Sequence, residues 1–274
     1  FCDEITKYIH KIYPTADLKD TAFVKDLLNR VLVSYYLLPS EGIVGKRCVP
    51  FYRKPRTFDE ICEQLNKLVG LQKVKQEFRN LYKLSTDVSN QNKQRLHFAF
   101  VGNPGTGKTT VANLTAELLF SMGLIKRNKI VTVTPTDIIS IYAGESAQLM
   151  QEKIREAQGG VLFIDEAYFL ISKTSDAKSH QKQCLEVLLQ EMEKNSDNLS
   201  VIFAGYEDEI NQLLDSNPGL KSRVPYRFKF DDYSVDEMMQ IFLGLAENEK
   251  MALSQDAYDT MRERLELAKT EENF

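Results

Sequence analysis

The chain lacks long apolar runs, has few cysteines and carries no large excess of either charge. Its uninterrupted hydrophobic stretches are only a few residues long, and a membrane-spanning helix needs about 20 apolar residues in a row. No membrane span is therefore expected. The four cysteines, Cys2, Cys48, Cys62 and Cys184, are scattered and form no C-x-x-C pair. This argues against a disulfide scaffold and a zinc site, and it fits a reducing cytoplasm. The three histidines, His10, His97 and His180, have no metal-like spacing. His97 lies inside an apolar run and reads as a packed, hydrogen-bonded residue. A net charge of −4 gives no electrostatic reason to expect nucleic acid. Internal repeats and low-complexity tracts are also missing. Residues 1–11 are charged throughout and hold no apolar signal-peptide core. Phe1 in place of methionine reads as the start of a processed or shortened chain.

What is there is globular in character. Of 274 residues, 43% are hydrophobic and 27% charged, enough for one large domain or two smaller ones. Charge is unevenly spread. Residues 1–57 have a local excess of +4, and residues 231–274 a local excess of −8, which suggests separate modules. The expected organisation is an N-terminal helical segment with a basic linker over 1–57, an α/β domain over 58–231 and a truncated helical lid over 232–274. Thr21 to Leu38 has apolar residues at helical spacing. Lys46 to Arg56 is basic and contains Pro50 and Pro55, which forbid a continuous helix. It reads as an extended connector, with partner docking or phosphate contacts as the other use of its cations and of Phe51 and Tyr52.

From Phe58 short apolar runs alternate with helix-period segments. The runs are Leu96–Val101, Ile130–Thr134, Val161–Ile164, Val201–Ala204 and Arg227–Phe230. Helical spacing occupies Thr109–Met122, Ser146–Ala157 and Gln181–Asn195. In the last, Cys184, Leu185, Leu188, Leu189 and Met192 form a stripe that reads as core. This alternation predicts βαβ units, with a mostly parallel sheet covered by helices on both faces.

Between the first run and the first helix lies Gly102-Asn103-Pro104-Gly105-Thr106-Gly107-Lys108-Thr109, which fits G-x-x-x-x-G-K-[ST]. Glycines let the backbone fold into a nest of N–H groups facing one phosphate. The helix that follows adds unpaired N-terminal donors and the positive end of its dipole. Residues Asn103 to Thr110 are the expected phosphate cradle. Lys108 is expected on the β- and γ-phosphates, and Thr109 on Mg²⁺. Further on, Val161-Leu162-Phe163-Ile164 runs into Asp165-Glu166. A buried strand ending in Asp puts a carboxylate at the carboxyl edge of the sheet, where ligands bind in open α/β folds. Asp165 is expected to hold a Mg²⁺-bound water. Glu166 is placed to accept a proton from an attacking water, which implies hydrolysis.

With both elements in order, the chain resembles an AAA+ ATPase with a P-loop NTPase fold. It is most similar to the branch that holds red-type Rubisco activase, stage V sporulation protein K and the type VII secretion ATPase. The likeness spans residues 58–274. It rests on Leu68-Val69-Gly70-Leu71, GNPGTGKTTVA (102–112), IYAGES (141–146), GGVLFIDEAYFL (159–170), LLQEMEKN (188–195), VIFAGY (201–206) and NPGLKSR (217–223). The resemblance implies ATP with Mg²⁺ as ligands and a homo-oligomeric ring, a hexamer, acting on a protein client. It implies that Val69 and Gly70 line the adenine pocket and that Tyr142 is a central-pore aromatic gripping the client. Arg223 falls at the arginine-finger position, with Lys221 and Arg227 as rivals. Tyr206 stands where many relatives have a water-positioning Asn, and takes a nucleotide-sensing role. In the branch a Gly-Asn-x-Arg-like segment follows at about residue 274, so the lid is expected to be incomplete.

Two other functions compete with the remodelling motor. One is a nucleic-acid-associated AAA+ loader, for which only Lys46–Arg56 speaks. The other is an ATP-switched scaffold with little turnover, against which Glu166 and Arg223 argue.

Overall fold

The computed structural model describes residues 56–86, 96–138, 145–171, 178–194 and 198–270. The chain divides into two compact units, 1–57 and 58–274. The first lies almost wholly outside the described residues, as do the expected Thr21–Leu38 helix and Tyr142.

Two helices open the second unit, α1 (Phe58–Lys67) and α2 (Gln72–Thr86). Then come β1 (Phe98–Val101), α3 (Lys108–Ser121), β2 (Ile130–Val133), a short α4 (Pro135–Ile138), α5 (Glu145–Ala157) and β3 (Val161–Ile164). A 3₁₀ turn (Ala167–Leu170) leads to α6 (Lys178–Lys194), β4 (Ser200–Gly205), α7 (Glu207–Asp215), α8 (Pro218–Arg223) and β5 (Tyr226–Lys229). The last two helices are α9 (Val235–Asn248) and α10 (Gln255–Thr270). The five strands form one parallel sheet in the order β2-β3-β4-β1-β5. The expected α/β architecture is the observed one.

Period-2 alternation in the strands sorts the core into two layers. Ala99, Val101, Leu162, Ile164, Val201 and Phe203 face α5, α6 and α7, meeting Met150, Ile154, Leu188, Met192 and Ile210. Phe98, Phe100, Phe163, Ile202 and Phe228 face the other way, toward α1, α2 and α3, and meet Ile61, Phe78, Val111 and Leu118. The second layer is rich in aromatic pairs: Phe100 and Phe228 stack with ring centroids 5.1 Å apart. The apolar stripe on α6 is core, as expected. Cys184 is buried within it, and burial pushes its thiol up to about 11.

Boundaries differ from the sequence reading by up to three residues. Leu96 and His97 precede β1 rather than joining it. His97 is fully buried, and its Nδ1 accepts the Val201 amide at 3.1 Å. A side chain thus replaces one rung of the ladder. The two helices flanking Ser216, α7 and α8, are too short to show periodicity in the sequence. The α8 helix starts where Asn217 accepts the Gly219 and Leu220 amides and Pro218 sets the first turn.

Candidate active site

Strand order decides what meets at the carboxyl edge of the sheet. β4 lies between β3 and β1, so the end of β3 stands two strand spacings, about 9–10 Å, from the loop after β1. That gap is a cleft of about 350 Å³. It is lined by Gly102, Pro104, Gly105, Gly107, Lys108, Thr109 and Thr110 on one side and by Asp165, Glu166, Tyr168, Gly205 and Tyr206 on the other.

The glycines of the loop are there for geometric reasons. Gly105 (φ 78°) and Gly107 (φ 94°) adopt left-handed backbone, which side chains disfavour. Gly107 is the N-cap of α3 and has no side chain to cap it. The first-turn amides are therefore left for a ligand. At Gly102 a Cβ would lie 2.4 Å from the Phe230 carbonyl oxygen, so the loop can pass only as glycine.

Lys108 folds over this loop, donating to the Gly102 carbonyl at 2.8 Å and the Asn103 carbonyl at 2.7 Å. Burial pulls its pKa below the ordinary lysine value, against the opposing pull of Asp165 and Asp232. Thr106 is buried, with its hydroxyl on the Asn103 carbonyl at 2.7 Å. The Asn103 side chain turns away from the cleft and donates to both oxygens of Asp232 at 2.9 Å. Asn103 and Thr106 thus shape the loop without lining the cleft.

Across the cleft, Asp165 is half-buried and Glu166 exposed. Glu166 has φ 50° and ψ 40°, a left-handed backbone on a non-glycine residue. Such strain persists only where its surroundings impose it. Here the Glu166 amide donates to Asp165 Oδ1 at 3.1 Å, and the 3₁₀ turn follows at once. Thr109 and Asp165 line the one cleft as hard oxygen donors, the type Mg²⁺ takes.

Sequence reasoning passed over Tyr168 and Tyr233. Tyr168 comes round on the 3₁₀ turn, with its ring centroid 6.4 Å from that of Tyr206. Burial raises its hydroxyl pKa, helped by the Glu166 and Glu209 charges. Tyr233 donates to the Thr106 carbonyl at 3.2 Å. Gly70 (φ 64°) lies against α9: a Cβ there would sit 2.6 Å from Glu237 Oε1. Val69 and Gly70 are half-buried and lie outside the set lining the cleft. Only the Tyr in Asp-Glu-Ala-Tyr was a signal, since a tight turn after Glu166 brings it back to the cleft.

The cations near α8 have separate partners. Lys221 pairs with Asp215 at 2.6 Å, and Arg227 with Glu207 at 3.0 Å, both at the surface. Arg223 is more enclosed and pairs with Glu193 at 2.9 Å. Among the described residues no helix is long and apolar enough to cross a membrane, and no cluster of three or more His, Cys, Asp or Glu could hold a metal.

A glycine-rich turn between a buried strand and a helix, facing an acid-tipped neighbour across one intervening strand, defines a P-loop nucleotide-binding protein. The family described as "ATPase family associated with various cellular activities (AAA)" matches residues 98–232. The chain is 39% identical over 215 residues to the protein CfxQ homolog of Pyropia yezoensis, covering 76% of this chain and 71% of that protein. It is 36% identical over 223 residues to protein CbbX of Cereibacter sphaeroides, covering 78% and 72%. It is 37% identical over 215 residues to the chloroplastic ribulose bisphosphate carboxylase/oxygenase activase of Cyanidioschyzon merolae, covering 74% and 72%. In fold it is similar to the AAA domain of FIGL-1 crystallised with ADP, at a TM-score of 0.52 and 20% identity, covering 76% of this chain and 74% of that one. The chain belongs to the AAA ATPase family, in the branch of the CfxQ and CbbX proteins. It is an ATPase and binds nucleotide, and the expected family resemblance holds.

Proposed function

We propose that this ATPase is a subunit of a ring, a hexamer, that remodels or threads a protein client. The carrying observation is the cleft in which Glu166, held in left-handed backbone, faces the phosphate loop beside Asp165. In this reading Gly105, Thr106, Gly107 and Thr110 cradle the phosphates with backbone amides. Asn103 and Pro104 fix the bend of the loop. Lys108 leaves its two loop carbonyls for the β- and γ-phosphates. Thr109 and Asp165 hold Mg²⁺, which supplies charge neutralisation on the phosphate oxygens. Glu166 takes the proton of the attacking water, and Tyr206 senses the γ-phosphate. Val69 and Gly70 bound the adenine, Arg223 acts on the phosphates of an adjoining copy, and Tyr142 grips the client.

A relative named as an activase of another enzyme supports the remodelling reading. More than half of Leu245, Met251 and Leu267 is exposed on the lid helices and the turn between them, which supports a surface that packs against further copies. For compartment we take the cytoplasm, supported by the few scattered cysteines. The Cyanidioschyzon merolae relative is named chloroplastic.

Glu166→Gln tests the site. The amide keeps size and polarity but cannot accept the proton. ATP affinity should stay near the parent value while turnover falls by about 10²-fold or more. Turnover equal to the parent would remove Glu166 from the mechanism.

A further inference from the structure

Arg223 rests in a place built by two other residues. Gly219, four residues earlier on α8, accepts Nη1 through its carbonyl at 2.8 Å. Glu193, in the last turn of α6, holds Nη2 at 2.9 Å. Gly219 leaves room for this pose, because a Cβ there would lie 2.7 Å from Nη1 and displace the guanidinium. The Arg223 side chain is only 15% exposed. Its Nε is buried and has no hydrogen-bond partner among the described residues.

A guanidinium that recognises phosphate offers two parallel N–H edges as a fork. Here Nη1 points into its own helix, Nη2 is taken by a carboxylate and Nε is covered. In this pose the Nε–Nη2 edge of Arg223 is closed to another molecule. We propose that Glu193 is a positioning residue that parks Arg223 on its own subunit, and that nucleotide bound by an adjoining copy draws the guanidinium off. The inference rests on reading Arg223 as the residue that acts across the ring.

Two features keep the parked pose shallow. The orphaned Nε forgoes a hydrogen bond. Glu193 is 69% exposed, so water screens its hold on the guanidinium. A triphosphate concentrates more negative charge than one carboxylate and can win the exchange. A subunit beside an empty neighbour then keeps its guanidinium at home, and one beside a loaded neighbour releases it.

The test is ATP turnover per subunit of the full chain, measured across a protein-concentration series. Glu193→Gln and Glu193→Ala should each raise turnover about two- to fivefold, the range a screened ion pair supports. KM for ATP should stay unchanged, because Glu193 lines no part of the cleft. Adding Arg223→Ala to either variant should return turnover to the level of Arg223→Ala alone. Turnover unchanged or lowered by both Glu193 variants, with Arg223→Ala slow, overturns the parking role and leaves the trans role of Arg223 standing. Turnover untouched by Arg223→Ala overturns that role, and the inference with it.

Discussion

At the scale of single residues, the most informative group is Lys108. Its ammonium sits between two carbonyls of its own loop, 2.8 and 2.7 Å away, and burial holds its pKa below the ordinary lysine value. Both facts describe a charge kept close to where phosphate oxygens are expected. Charge-assisted hydrogen bonds contribute about 1.5–3 kcal/mol, so Lys108→Ala should weaken ATP binding by roughly ten- to 150-fold, read by calorimetric titration. The sign of the pH effect follows from the lowered pKa. Below that pKa the ammonium is charged and competent. As pH rises through it, affinity should fall, and at a lower pH than for a lysine of ordinary pKa. An affinity flat across the alkaline range would show that Lys108 carries no part of the binding. The loop motif made Lys108 legible from the sequence. Tyr168 was signalled only by its place two residues after Glu166, and Tyr233 by nothing local, because its relation to the cleft depends on the chain returning after β5.

At the scale of elements, the ends of strands and helices carry the site, and small polar caps hold those ends. The Thr134 amide and hydroxyl both donate to Asp137 Oδ2, at 2.8 and 2.6 Å, where β2 turns into α4. These bonds, with Lys153 adding its charge, hold the Asp137 carboxyl below the ordinary carboxylate value. A depressed folded pKa means stability that is fully present above the unfolded pKa, about 3.9. That stability is lost as pH falls through the folded value. Asp137→Asn should reduce stability at neutral pH by about 0.5–1 kcal/mol, the small value reflecting screening at a partly exposed site. It should also flatten the acid limb of the stability curve, as followed by urea denaturation between neutral and acid pH. An unchanged acid limb would mean the cap contributes nothing. The strands were legible because all five are apolar or alternate with the sheet period, and α3, α5 and α6 because each has helical spacing. The short α4, α7 and α8 were not, since fewer than three turns leave no period to read.

At the scale of the whole molecule, the unit 58–274 is a three-layer α/β body followed by the helices α9 and α10. The start of α9 is tied back to the segment before α2 by particular contacts. Glu237 closes a capping box on Ser234 and also abuts Gly70. Lys73 pairs with Asp231 at 2.8 Å, so α2 and the segment leading into α9 are joined. In the proposed remodelling function, Tyr142 is the residue assigned to grip the client. Tyr142→Ala should lose client remodelling while the chain still turns over ATP without client, measured by coupled phosphate release beside a client-remodelling assay. Remodelling equal to the parent would remove Tyr142 from the client path. The α/β class, the phosphate loop, Asp165-Glu166 and the family were all determined by sequence alone. Each rests on local order along the chain, where strand, turn and helix follow one another within a few residues. Tertiary structure decided the rest: the two-strand gap that faces Glu166 toward the loop, the turning of Asn103 to Asp232, and the pairing of Arg223 with Glu193. These depend on strand order and helix packing between residues up to 129 apart, and no local pattern of residue types encodes them.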